Sequence, residues 1–179
     1  MIGLYIKLFC ITGTAFMLLN MAASFVLGTG VSIILESSKG LVFGFTMSAI
    51  LGTIHAFKAR SQAGENHGDD IYSTRQSREV KTPLSPDSAF TLLRHYLTEV
   101  RHFRLTEASS ETGLLKAGTP WTLKTFGCRV RAEITKQEDG GALIKIFSRP
   151  AMPLTLVDYG ENLKLVMEAA AFLRASDRT

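Results

Sequence analysis

The 179 residues hold only two cysteines, one tryptophan and five prolines. Cys10 sits in an apolar segment and Cys128 in a strand-like run of the polar part, so no intramolecular disulfide is expected between them, as suits a reducing compartment. No C-x-x-C pair, no clustered His/Cys ligand spacing and no glycine-rich phosphate loop is present, so neither a metal nor another cofactor is expected. Charge of one sign is also scarce. The net charge is +4, and from Lys58 onward 18 Lys+Arg stand against 15 Asp+Glu with no basic block. That is a mixed solvated surface, which argues against nucleic acid as a partner.

Long apolar runs, by contrast, are there, and all lie at the front. Residues 8–27, LFCITGTAFMLLNMAASFVL, carry no charge, and Asn20 is their one strongly polar side chain. Such a run matches a hydrocarbon layer of about 30 Å, which needs ~20 helical residues. Residues 40–57, GLVFGFTMSAILGTIHAF, form a second uncharged run. A cleavable signal peptide fits poorly, because the n-region offers only Lys7 and a second span follows. The reading is a transmembrane helical hairpin over 1–57 with the bilayer as its first partner. Lys7, Lys58 and Arg60 fall on one side and only Lys39, beside Glu36, on the other. The positive-inside bias then places both termini in the cytoplasm of a bacterial inner membrane.

Gly40, Gly44, Ser48, Gly52 and Ala56 recur at steps of four, on one helix face. Small residues in that register let a second backbone approach closely. The ridge suits either the protein's own first helix, through Gly13, Ala22, Ala23 and Ser24, or a second protomer or other membrane protein. His55 near the cytoplasmic end reads as an interfacial polar residue rather than a proton relay.

Residues 58–70, KARSQAGENHGDD, have no apolar period and read as a linker, with His67, Asp69 and Asp70 solvated rather than metal-bound. From 71 to 179 the pattern is that of a cytoplasmic α+β domain. IYSTRQSREVKTPL (71–84) suggests an edge strand ending at Pro83. Ser85, Pro86 and Asp87 are helix-start chemistry, followed by an apolar stripe at Phe90, Leu93, Leu97 and Val100. His95 and His102 are seven apart, a spacing that suits surface decoration better than a paired metal site. ETGLLKAG (111–118) is a short strand. FGCRVRAEITK (126–136) alternates, with Phe126, Cys128, Val130, Ala132 and Ile134 expected on one face. An Asp-Gly hairpin then leads to ALIKIFSR (142–149), and Tyr159, Leu163, Val166, Ala170 and Leu173 stripe a last helix. The order β-α-β-β-β-α predicts a two-layer sandwich with an antiparallel sheet and helices on one face.

The joint between last strand and last helix, SRPAMPLTLVDYGEN (148–162), admits two readings. As a stitch, Pro150 and Pro153 end the strand, Asp158 caps the helix with Glu161 three residues on, and Arg149 pairs with Asp158. As a binding corner, Arg149 beside a helix N-terminus attracts phosphate or carboxylate, with Asp158, Tyr159, Asn162 and Trp121 completing the candidate ligand site. Trp121 and Phe126 flank Lys124 as an aromatic rim or core edge. No Ser-His or Cys-His arrangement and no second carboxylate is nearby, so no catalytic residue is assigned and the chain is read as non-enzymatic. An enzyme using Asp158 or His102 is the least favoured reading.

The stretches WTLKTFGCRVRAEI and IFSRPAMPLTLVDYGENLKLVMEAAAFL, with the span exit LGTIHAFKAR, resemble an uncharacterised bacterial membrane-protein family. Its members have an N-terminal two-helix hairpin and a C-terminal domain ending in an S-R-P…T-L-x-D-Y-G-x-N signature. The matching positions are Ser148, Arg149, Pro150, Thr155, Asp158, Tyr159, Gly160 and Asn162. The resemblance implies the architecture but no activity. The first expectation for function is therefore a membrane-anchored subunit, adaptor or assembly factor of an inner-membrane complex, acting on a protein partner or as a homo-oligomer. The alternative is a sensor or binder of a small anionic ligand or lipid headgroup.

Overall fold

The computed structural model describes residues 1–63, 69–121 and 126–176; His67, Lys124 and the side chains of Asp69 and Asp70 lie outside the described residues. The chain divides into two units, Met1–Lys58 and Ala59–Thr179.

The first unit is built on helices α1 (Ile2–Val26) and α2 (Ile33–Ala63), both long and apolar enough to cross a membrane. Each extends past its uncharged run. Ser32 opens α2, its carbonyl accepting from the Glu36 amide at 3.0 Å. Gly40, Gly44, Ser48 and Gly52 are buried, and Ala56 is half-buried. A Cβ added to Gly13 would stand 2.8 Å from the Gly40 carbonyl oxygen, and one on Gly44 would stand 2.8 Å from that of Phe9. A Cβ on Gly52 would run into the Tyr5 ring, and the Ser48 hydroxyl donates to the Tyr5 carbonyl at 2.9 Å. The ridge therefore faces α1, where small side chains let the two backbones touch and gain dispersion contact. The Phe16 and Phe43 rings stack at 4.1 Å. Several polar side chains of these helices bond to the backbone one turn back: Thr12 donates to Leu8, Asn20 to Phe16 and Thr46 to Val42. Ile6, Leu18, Leu19, Leu41, Val42 and Phe45 are exposed, an apolar surface of the kind a membrane-crossing helix would present.

Helix α2 continues to Ala63, so the first six residues of the stretch read as a linker are helical, and residues 64–68 lie outside the described residues. Their lack of apolar period misled because only Ala59 and Ala63 need to be buried, and alanine is small.

The second unit carries a five-stranded, wholly antiparallel sheet with helices on one face. After a 3-10 turn (Asp69–Tyr72) come β1 (Gln76–Thr82), α3 (Pro86–His95) and a π turn (Tyr96–Val100). Then follow β2 (Arg104–Ser109), β3 (Leu114–Gly118), β4 (Cys128–Lys136), β5 (Ala142–Pro150) and α4 (Glu161–Ser176). The sheet order is β1-β5-β4-β3-β2. It is the expected α+β layering with one strand more. Strand β2 lies at an edge with a register shift between Leu105 and Glu107, so neither of its faces alternates.

Val80, Leu115, Ala117, Cys128, Val130, Ala132, Ile134, Ile144 and Ile146 face the helices and form the core with Phe90, Leu93, Leu97, Val166, Ala170 and Leu173. Two positions depart from the expected stripes. Val100 is exposed, because the extra residue of the π turn rotates the helix; Tyr96 is buried instead and stacks on Phe172 at 4.6 Å. Phe126 does not join the inner row. It and Gly127 both have positive φ, 50° and 81°, which turns the chain before β4 starts and leaves Phe126 exposed. The Arg101 guanidinium bridges the end of the π turn to Glu168 of α4 at 2.6 Å.

Candidate functional site

Alternation along β5 decides where the residues of the joint go. Ser148 points to the helices and is buried, while Arg149, one residue on, points to the other face and is exposed. The pairing expected between Arg149 and Asp158 is therefore not made.

What forms on the inner side is a closed polar chain. Asp158 is 1% exposed and Asn162 fully buried. The Ser148 hydroxyl donates to Asn162 Oδ1 at 2.6 Å, and Asn162 Nδ2 donates to Asp158 Oδ2 at 2.7 Å. Asp158 also accepts the backbone N–H of Asn162 at 3.0 Å and of Gly160 at 3.2 Å. The carboxylate thus caps α4, reaching the second residue of its first turn and lying at the positive end of the helix dipole. Tyr159 and Gly160 bring the chain round with φ of 53° and 79°. A Cβ on Gly160 would meet the Ala59 backbone at 3.2 Å, so the position needs glycine for space as well as for conformation. Cys128 lies on the same side, buried and bonded at its amide by Thr119 Oγ1 at 2.8 Å. Burial foremost, then the negative charges of Asp158 and Glu161, push its thiol up to about 12. A thiol so raised is no nucleophile at neutral pH.

Among the described residues no helix covers the opposite face of the sheet, and there the remaining candidates meet. A cavity of about 920 Å³ is lined by Arg75, Lys116, Arg129, Arg131, Phe147 and Arg149, together with Trp121 and Phe126. Most charges of this face are neutralised in place. Lys116 pairs with Glu107 at 2.6 Å, Arg131 with Glu133, and Lys145 with Glu79 at 3.0 Å. Arg129 and Arg149 are not, and neither is Lys81 on β1. The two arginines are directly opposite on β4 and β5, with Gly118 next to Arg129 on β3, and no carboxylate among the described residues pairs with either. Arg75, which also lines the cavity, likewise pairs with no carboxylate among the described residues. Like charges directly across strands are destabilising. Trp121 is 62% exposed and touches Phe126 with ring centroids 5.7 Å apart.

The structure thus separates the five candidates. Asp158 and Asn162 belong to the buried chain, Tyr159 to the turn above it, and Arg149 and Trp121 to the open cavity. Arg129, Arg75 and Phe147 were not singled out by sequence. The register that sets Arg129 against Arg149 was the missing signal, and it follows only once the Asp139-Gly140 hairpin is fixed. Among the described residues no group of three or more His, Cys, Asp or Glu gathers as metal ligands.

No family model and no curated protein matches the chain. Among solved structures it is similar to the crystal structure of Ara h 8.0201, with TM-score 0.43, 10% identity, and 58% of this chain and 95% of that one covered. A Thermobifida fusca protein solved by solution NMR gives TM-score 0.36, 13% identity, and 55% and 85% coverage. Both likenesses are too distant to bear on what the chain does.

Proposed function

We propose that this is a two-span bacterial inner-membrane protein with both termini cytoplasmic, whose C-terminal domain works by binding an anionic ligand over its uncovered sheet face rather than by turnover. The observation that carries the reading is the Arg129–Arg149 pair: two guanidinium groups set opposite each other, without a carboxylate, on a face where Lys116, Arg131 and Lys145 each have one. Folding alone gives no reason to keep such a pair, whereas a bound anion would turn its repulsion into attraction. Orientation rests on Lys7, Lys58 and Arg60, and gains from the pairing of Lys39 with Glu36 at 2.9 Å, which offsets the one cation of the opposite side. The reading as subunit, adaptor or assembly factor leaned on the small-residue ridge, and that ridge is occupied by α1. The enzymatic reading leaned on Asp158, whose oxygens are taken up in the capping chain.

The test is thermal unfolding of the full chain in phosphatidylcholine nanodiscs with added pyrophosphate. Binding only the folded state stabilises by about 2.7 kcal/mol at a hundred times Kd, which is a rise of several degrees. Arg129→Ala and Arg149→Ala should each cut the rise by about half or more, as a tenfold weaker Kd requires. An unchanged melting temperature, or a rise that neither substitution diminishes, would remove the reading.

A further inference from the structure

The cavity is much larger than its charged group requires. Its volume of about 920 Å³ lies near the top of the range of small-molecule sites, about 300 to 1,000 Å³, so it is sized for an organic ligand and not for a lone inorganic anion. Its apolar wall is equally specific. Trp121, Phe126 and Phe147 are large hydrophobic side chains left exposed, and all three line the cavity that holds Arg129 and Arg149. Trp121 and Phe126 are in contact at an interplanar angle of 56°. Rings that already touch at that tilt leave no slot between them for a planar base, but they do offer a continuous apolar surface to a flexible chain.

The head group can be narrowed in the same way. Arg129, Arg149 and Arg75 supply guanidinium groups in excess of the local acids, and Gly118 beside Arg129 leaves room above the sheet. A phosphate monoester carries close to two negative charges and three acceptor oxygens, enough to engage more than one guanidinium, while a carboxylate carries one charge and two oxygens. We infer that the site takes an amphiphilic phosphate monoester, with its phosphate on Arg129 and Arg149 and its alkyl chain along Trp121, Phe126 and Phe147. This rests on the anion-binding reading above and adds the chain. The same chemistry is offered by a phosphatidic acid in the bilayer and by a soluble alkyl phosphate.

Trp121 is the only tryptophan of the chain, so the fluorescence of the full-length protein reports this site alone. Hexyl phosphate added to the protein in phosphatidylcholine nanodiscs should shift the emission to the blue, saturably, as the chain covers the indole. Arg129→Ala or Arg149→Ala should raise the apparent Kd by at least about tenfold. Both side chains are solvent-exposed, so the variants should fold, which circular dichroism checks. Phe126→Ala should weaken hexyl phosphate but not pyrophosphate. Equal shifts with hexyl phosphate and hexyl glucoside would overturn the inference, since the response would then be indifferent to charge. Stabilisation by pyrophosphate without a shift from hexyl phosphate would overturn it too, while leaving the anion-binding reading in place; no response to either would end both. Phosphatidic acid placed in the nanodisc separates the sources. The shift appearing without soluble ligand assigns the bilayer, and its appearing only with hexyl phosphate assigns the soluble one.

Discussion

Removing the Asp158 carboxylate should be among the most damaging single changes available to the second unit. Asp158→Ala strands three donors at once: the N–H groups of Gly160 and Asn162, and Asn162 Nδ2. Losing a helix cap costs about 1 kcal/mol, and each buried donor left without an acceptor about 1–3 kcal/mol. Some relaxation is certain, because Asn162 can turn and water can enter at the chain's outer end, so the sum is an upper bound. A loss of about 3–4 kcal/mol is expected, large for a point substitution. For a unit of this size it corresponds to a fall in melting temperature of about 10–20 °C.

A graded series gives the prediction its force. Asp158→Asn keeps the shape and one oxygen but turns an amide nitrogen toward donors, so about 2 kcal/mol is expected. Ser148→Ala removes only the hydroxyl that donates to Asn162 and should cost about 1 kcal/mol. Because Ser148 and Asp158 act through the same Asn162, the double variant should lose less than the two singles together. Thermal unfolding followed by circular dichroism reads all four. If Asp158→Ala melts within about 2 °C of the parent while ligand response is lost, the chain is a binding corner and its description as a clamp is wrong.

Two further outcomes follow from packing and from burial. Gly44→Leu forces side-chain atoms against the Phe9 carbonyl and the Gly13 backbone, neither of which can yield, so α1 and α2 must part at a cost of about 1–3 kcal/mol; greater protease sensitivity of the hairpin in nanodiscs would show it, and an unchanged digestion pattern would contradict the packing. Cys128 should resist alkylation at pH 8 in the folded protein while Cys10, which is exposed, reacts. The folded thiol is raised from 9.0 to about 12, so the stability that comes from keeping it neutral is complete below about pH 9 and is lost as pH climbs toward 12. Cys128→Ala should flatten that alkaline loss, and an unaltered alkaline limb would refute the assignment.

Legibility in the sequence followed locality. Helices α1 and α2 show as uncharged runs, the composition that crossing hydrocarbon would require. The α3 start is readable at Ser85-Pro86-Asp87, since the Ser85 hydroxyl need reach only the Ser88 amide, 3.3 Å away. The Asp139-Gly140 turn is equally local: Gly140 has φ of 87° and Asp139 accepts the Gly141 amide at 3.0 Å. Strand β2 was hidden because an edge strand with a bulge buries neither face fully. Phe126 was misplaced because alternation carries no mark of where it begins, and two positive-φ residues reset it just ahead of Cys128.

The candidate site failed to show for a related reason. S-R-P-x-x-P and D-Y-G-x-N look like one cluster because they are close in sequence, yet the step from Ser148 to Arg149 crosses the sheet. Parity along β5 sends Ser148 to Asn162 and Asp158, and sends Arg149 to Arg129, some twenty residues earlier in the chain. The same short segment therefore serves two purposes on two faces, one holding α4 to the sheet and the other furnishing half of a cationic pair. A reading that treats the segment as one object must choose between clamp and binding corner; once the strand separates its residues, the choice dissolves. Damage to Ser148 should then appear as lost stability with ligand response intact, and damage to Arg149 as the reverse.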